Sequence, residues 1–596
     1  MDKEKDRSLI AGSDNWDLSK MYKDLNAFDS DIKLLKEYHK RIMEFKGKIM
    51  DSSSNLESFY KAYIAYDNVA SNLYTYAHML CDENTKNQDS QAQKMKVDKL
   101  IDDLGTELSF ITPEILSVNF EDVEKFINEN KNLEKYRFDL ERMFRYKSHT
   151  LSDLEEELIS KASIAMGTGD EVFYNLDNSD IHLDKIRDEN GTLVELNNSN
   201  YIKYMSSKDR SVRKSAFLSM YHYWESIKNT VAATYKGQIK EDFFESSVHK
   251  YQNPLTESLY SDNIDVAVYH NLIDTVHKNL DKMYDYVHFR KEFLGLDELH
   301  MYDVYVDLCE EKPKDIPFEE GKKIVFEALK PLGNEYLSDL EKAFSEHWID
   351  IYPNDGKKSG AYSWGTYDSV PYVLLNYNNT IDSVSTMAHE LGHSMHSYYS
   401  KSQDYLYHNY PIFLAEIAST VNEILLNDYL CKHAKTKDEK RLYLNEFLDK
   451  IKGTLYRQTM FAEFEMLIHD KYEKGIPLTE EEISSTYYNL NKLYFGDEMV
   501  SDDLIRFEWM RIPHFYTPFY VYKYATGISA AISFASDILN NSPGAKEKYL
   551  KFLHSGSSDY PLNILASSGV DMTKREPIEK ALDMFSTKLK ELKELV

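Results

Sequence analysis

Apolar residues recur at three- and four-residue spacing along most of the chain, as in Leu34, Leu35, Tyr38 and Ile42, which is the periodicity of helices with one buried face. Up to about residue 180 this pattern is nearly unbroken, and glycine and proline are sparse. Two helix starts are legible. Thr112-Pro113-Glu114 places a capping hydroxyl before a proline at the first helical position, and Ser152-Asp153-Leu154-Glu155 is a capping box opening LEEELISKA. At 181–197 the text changes to IHLDKIRDENGTLVELN, where Asn190-Gly191 separates two alternating runs and predicts a β-hairpin. Helical periodicity resumes from about 208 to 348, with a loop rich in acid, lysine and proline at EEKPKDIP. The expected organisation is an N-terminal helical region 1–180, a hairpin connection 181–205 and a third region 206–596.

A second break covers 352–380, YPNDGKKSGAYSWGTYDSVPYVLLNYNNT, where glycines 356, 360 and 365 and the run 372–377 predict a small β region in a mainly α protein. The run 372–377 is expected to be an edge-like strand, able to hold a peptide in extended form through main-chain hydrogen bonds. A helix follows it, capped by Thr380 or Asp382.

Composition narrows the function. The 596 residues carry 100 acidic against 71 basic side chains, a formal net charge of −29 that repels nucleic acid and anionic lipid headgroups alike. The three cysteines, Cys81, Cys309 and Cys431, are scattered and read as reduced thiols of a cytoplasmic protein. The opening MDKEKDRSLIAGSDNWDLSK has no apolar core of a signal peptide, and the longest uncharged small and apolar run, 525–536, is too short to span a bilayer. Neither a membrane nor a nucleic acid is expected as partner. The 46 tyrosines suit either helix packing or a surface that grips organic ligands, with packing the commoner fate.

The chemistry concentrates in MAHELGHSMHSYY, residues 387–399, which holds His389, Glu390, His393 and His396. Residues four apart on a helix point the same way, so His389 and His393 can present two imidazoles to one zinc ion. Glu390 is free to act as a general base on a metal-acidified water and to return the proton to a leaving amine. Gly392 sits inside this helix, where glycine costs about 1 kcal/mol relative to alanine, a cost explained if another backbone approaches closely. A third ligand is needed. Downstream, IFLAEIASTVNEILLNDYL places Glu416 and Glu423 seven residues apart on one helical face. Coordination would compensate burial of Glu416, and a hydrogen bond to a ligand imidazole would do so for Glu423. His396 is the alternative third ligand. It lies seven residues beyond His389, about 10 Å along the helix axis, which favours Glu416 and leaves His396 as a supporting or channel-wall residue.

The blocks HELGHSMHSYYS and IFLAEIASTVNE, followed by RIPHFYTPFYVYKYATG at 511–527, resemble oligoendopeptidase F, a bacterial branch of the thimet oligopeptidase family of zinc metallopeptidases. WDLSKMY near residue 16 and GKKSGAYSWG before the metal helix extend the resemblance over nearly the whole chain. It implies a large helical, ellipsoidal fold with an enclosed central channel, one Zn2+ per chain, and hydrolysis of internal bonds in short peptides. Carried over by position, it makes His389, His393 and Glu416 the ligands and Glu390 the general base. It also implies that the 511–527 stretch supplies a histidine and tyrosines to stabilise the oxyanion. The candidates are His514 with Tyr520, Tyr522 or Tyr524. Thr517-Pro518 reads as a helix start, which puts Tyr520 and Tyr524 on one face and Tyr522 on another. A related zinc carboxypeptidase or dipeptidase shares this metal site, with Arg506 or Arg511 receiving a terminal carboxylate. A binding protein with a structural zinc fits less well, because such a site is normally closed by a fourth protein ligand. Whether the protein is a monomer or a homo-oligomer stays open.

Overall fold

The computed structural model describes residues 6–309 and 314–596. The first five residues and the start of the EEKPKDIP loop lie outside them. The chain forms two compact units, each assembled from separated stretches: Met1–Ser148, Pro313–Leu426 and Phe534–Ile564 in the first, and His149–Lys312, Asn427–Ser533 and Leu565–Val596 in the second. The predicted hairpin is present, Ile186–Arg187 pairing antiparallel with Leu193–Val194, but it lies inside the second unit. The linear division at 181–205 therefore does not follow the compact units. A hairpin reports local turn chemistry, whereas the units are set by contacts between stretches hundreds of residues apart.

In the first unit, helix Leu25–Met43 starts where Asp24 accepts a hydrogen bond from the Ala27 N–H at 2.9 Å, and it buries Phe28, Leu35, His39 and Ile42 at helical spacing. Leu35 and Ile42 have no exposure and join a core with Leu56, Leu73 and Ile115. Truncating either to alanine costs about 2–5 kcal/mol on the scale of buried large-to-small changes. The capping box at Ser152 forms as read. The start at Thr112 does not: helix Ile111–Leu116 begins ahead of it, so Thr112 and Pro113 are both inside the first turn.

The small β region is a three-stranded sheet with Tyr372–Leu374 in the middle, Ile349–Asp350 parallel to it on one side and Tyr362–Trp364 antiparallel on the other. This corrects the expectation for 372–377. Tyr372, Val373 and Leu374 are fully buried in the central strand, and Ile349–Asp350 and Tyr362–Trp364 are the edges. The partner Ile349–Asp350 comes from beyond the local pattern and covers the side that sequence reading left open.

The second unit is built from long helices including Lys228–Val248, Val266–His277, Arg457–Glu473 and Glu480–Phe495. Tyr221, Tyr235, Tyr269 and Tyr487 are all within its core, so much of the tyrosine content packs helices.

Candidate active site

Helix Ile381–Ser400 begins at Thr380, whose hydroxyl accepts the Ser383 N–H at 3.1 Å. Two turns later His389 and His393 converge, their Nε2 atoms 3.2 Å apart. Glu416, on helix Ile412–His433, brings Oε2 to 3.4 Å from His389 Nε2 and 3.5 Å from His393 Nε2. These three donors form a near-equilateral triangle. A tetrahedral zinc about 2.0–2.1 Å from each ligand requires ligand atoms roughly 3.3 Å apart, so the donor set fits that ion in both chemistry and size. The Glu416 side chain is 48% exposed, not buried as the sequence suggested; partial desolvation by the surrounding protein opposes its charge, but the two imidazoles prevail and hold its carboxyl well below the usual carboxylate range.

The two helices can meet because of Gly392. A Cβ there would lie 2.5 Å from the Ser419 Cα and 2.7 Å from the Ala418 carbonyl oxygen, so only glycine lets the ligand helices come this close. Asn422 ties them further by donating to the Ala388 carbonyl at 3.0 Å. Two turns on from Glu416, Glu423 Oε1 hydrogen-bonds His389 Nδ1, which leaves Nε2 aimed at the triangle. Glu390 is 7% exposed beside the histidines. Burial pushes its pKa up, His389 and His393 oppose that, and the Ser363 N–H of the edge strand favours the charged carboxylate. Ser363 also hydrogen-bonds Ser394 of the metal helix through its hydroxyl at 2.8 Å, fixing strand against helix.

His396 stands apart from this cluster. It is fully buried with its ring stacked on Tyr410 at 3.6 Å, and neither ring nitrogen has a hydrogen-bond partner among the described residues. Burial holds its pKa well below the ordinary histidine value, so it is a neutral core ring and lines no channel.

These are the features of a metallopeptidase centre, and comparison with known proteins identifies which kind. The profile of peptidase family M3 matches residues 203–584, and that of the oligopeptidase F N-terminal region matches 114–182. The chain belongs to peptidase family M3. It is 41% identical over 595 residues to oligopeptidase PepF of Bacillus subtilis (strain 168), covering 99% of this chain and 88% of that protein. Group B oligopeptidase PepB of Streptococcus agalactiae is 38% identical over 591 residues, 99% of this chain and 98% of that one. Among solved structures, a putative peptidase from Chlamydophila abortus superposes with a TM-score of 0.94 at 38% identity over the whole of both chains. Oligoendopeptidase-F from Enterococcus faecium superposes with a TM-score of 0.74 at 35% identity, covering 96% of this chain and 99% of that one. This M3 protein is accordingly a metalloendopeptidase.

The second unit holds the remaining candidates, and it sorts them. Tyr524 OH is 3.3 Å from His514 Nε2, the Tyr520 ring is 6.1 Å from the His514 ring and the Tyr520 and Tyr524 rings are 5.5 Å apart edge-on. All three side chains are partly exposed, and burial lowers the pKa of His514, which keeps it neutral near pH 7. Tyr522 is fully buried against Tyr269 instead. The helix does not start at Thr517-Pro518. It runs Tyr522–Leu539, because Phe519 takes a left-handed backbone with φ of +54° that no helix contains. Arg506 pairs with Glu481 at 2.9 Å, and Arg511 lies 4.7 Å over the Tyr201 ring.

Two contributors left no trace in the residue pattern. Ser363 acts through its main-chain N–H, which any residue but proline supplies, and Tyr410 is visible only once its ring covers His396 and its hydroxyl meets Ser397 at 2.9 Å.

Proposed function

We propose that this M3 peptidase is a zinc-dependent endopeptidase hydrolysing internal bonds of short oligopeptides. His389, His393 and Glu416 hold the ion and Glu390 is the general base. The observation that carries this reading is the placement of Glu390. Its buried carboxylate sits beside the three-donor triangle and against a main-chain N–H of the sheet edge. Zinc, when bound, supplies Lewis acidity to the attacking water and the scissile carbonyl.

The chain's own residues do the rest. Glu423 accepts the Nδ1 proton of His389 and so fixes the tautomer and tilt of that ring. The outer side of strand Tyr362–Trp364, which no further strand of the sheet covers, is assigned the extended peptide, aligning a scissile bond with Glu390 whatever its side chains. Glu390 takes the proton of the attacking water and passes it to the departing amine nitrogen. His514, Tyr520 and Tyr524 are assigned the hydrogen-bond donors that meet the developing oxyanion, supported by their mutual packing and by the family resemblance of the 511–527 stretch. The names of the relatives as oligopeptidases and oligoendopeptidases support oligopeptide substrates. Internal cleavage is favoured over removal of terminal residues because Arg506 is engaged by Glu481 and Arg511 by Tyr201. Three buried free thiols support a reducing, cytoplasmic setting.

The test is cleavage of an internally quenched peptide blocked at both ends. The zinc-loaded protein cleaves it, and Glu390→Gln lowers kcat at least about a hundredfold with metal content unchanged. Cleavage confined to peptides with a free terminus would make the enzyme an exopeptidase. Near-normal turnover of metal-replete Glu390→Gln would remove the general-base assignment.

A further inference from the structure

The turn at 517–519 carries an unusual combination of features. Phe519 holds φ at +54°, a conformation that bulky residues rarely adopt and that persists only where surroundings impose it. Three ties impose it here. The Phe519 N–H donates to Glu465 Oε1 at 3.0 Å. Its ring is buried against His469, with centroids 4.6 Å apart, and against Tyr269 at 5.8 Å. The preceding carbonyl, that of Pro518, accepts the Ser258 hydroxyl at 3.0 Å.

Glu465 is the telling partner. It projects from helix Arg457–Glu473 with no exposure, and its Oε2 has no hydrogen-bond partner among the described residues. Among the described residues no cation is paired with it. The titratable groups around it are Asp242, Tyr235 and Tyr269, and Asp242 is hydrogen-bonded to His469 at 2.9 Å. Burial, reinforced by Asp242, pushes the carboxyl pKa well above the usual range, which favours the neutral acid, and Oε1 accepts the Phe519 N–H. An apolar side chain of similar volume would fill this position without burying a polar group that is only half satisfied. A strained residue held by a half-satisfied buried acid is a combination that stability alone does not favour, and it falls immediately before Tyr520.

We infer that Glu465 is a positioning residue for this peptidase: by holding the Phe519 N–H it fixes the left-handed turn that stands Tyr520 beside His514 and Tyr524. Without that turn the helix could extend back through 518, as the Thr517-Pro518 pattern favours, and Tyr520 would move onto the helix. The inference rests on the reading of His514, Tyr520 and Tyr524 as oxyanion donors.

Both are tested with the full chain, zinc-loaded, on the blocked quenched peptide. Glu465→Leu, which fills the space but cannot accept, should lower kcat at least tenfold with KM within threefold and metal content unchanged. Glu465→Gln keeps an Oε1 acceptor and should recover at least a third of the original kcat. The double variant Glu465→Leu/Tyr520→Phe should be no more than twofold slower than the slower single variant, because both changes act on one group. Glu465→Met is the second apolar variant should the leucine protein fail to fold. The inference is overturned if a folded apolar variant stays within twofold of the original kcat, if glutamine is as damaging as leucine, or if the penalties multiply. Should Tyr520→Phe or Tyr524→Phe be slow while Glu465→Leu is not, the donor reading stands and the inference alone fails. Full kcat in both tyrosine variants overturns the donor reading and this inference with it.

Discussion

Gly392 and Ser419 bring the two ligand-bearing helices into backbone contact: a Cβ on Gly392 would stand 2.5 Å from the Ser419 Cα. The atoms that would have to yield belong to backbone, so neither helix can relieve the overlap by turning a side chain. The donor triangle depends on this approach, since His389 and His393 come from one helix and Glu416 from the other. Gly392→Ala should therefore destabilise the protein by about 1–3 kcal/mol, the usual range for overpacking, despite alanine's better helix propensity. It should also weaken zinc retention. Thermal melting with metal content after dialysis checks both, and an unshifted melting temperature would show that the helices separate easily.

The third ligand can be read from metal loss. Glu416→Ala should lose zinc at a weak-chelator concentration where His396→Ala retains it, because His396 is packed beneath Tyr410 and absent from the donor triangle. The opposite order of loss would make His396 the ligand.

Glu423 should matter for affinity through an imidazole it orients. Replacing Glu423 with glutamine removes the anionic acceptor at His389 Nδ1 and should weaken zinc binding by about 10–100-fold, the common range for such outer partners. Competition with a chromophoric chelator measures it. Unchanged affinity would show that helix packing alone orients the ring.

His396 predicts an acid limb in stability. Its folded pKa lies well below the unfolded value of about 6.5, so the unfolded chain takes up the proton first and stability falls as pH drops below about 6.5. One such group contributes a slope of about 1.4 kcal/mol per pH unit until its folded pKa is reached. Tyr410 stacks on its ring and His393 acts on it electrostatically. His396→Phe, which preserves the stack, should remove that share of the slope in urea unfolding between pH 7.5 and 5. Parallel curves for the two proteins would show that another group carries the acid limb.

Among the tyrosines, Tyr520→Phe or Tyr524→Phe should reduce kcat at least tenfold with little change in KM, since an oxyanion donor acts mainly in the transition state. Tyr522→Phe should stay within about threefold in kcat, because Tyr522 packs on Tyr269 in the core. A large kcat loss only at Tyr522 would reverse the assignment.

The legible parts of this protein are those whose physics is local. A spacing of four turns two histidines to one side of a helix, a spacing of seven does the same for Glu416 and Glu423, and an interior glycine marks a close approach before its partner is known. Helical periodicity set the class of the fold, and Asn190-Gly191 placed the hairpin. The remainder depended on partners distant in sequence. Whether 372–377 is an edge or a centre turned on pairing with Ile349–Asp350, which no local pattern announces. His396 carries the same residue type as His389 and His393, and only Tyr410 and Phe552 packing around it make it a core ring. At 517–519 the local signal favoured a helix start, and a hydrogen bond from Phe519 to Glu465, 54 residues away, outweighed it. Short-range geometry is written in spacing because the backbone repeats. Long-range contacts are decided only when the folded chain shows which buried groups must satisfy one another.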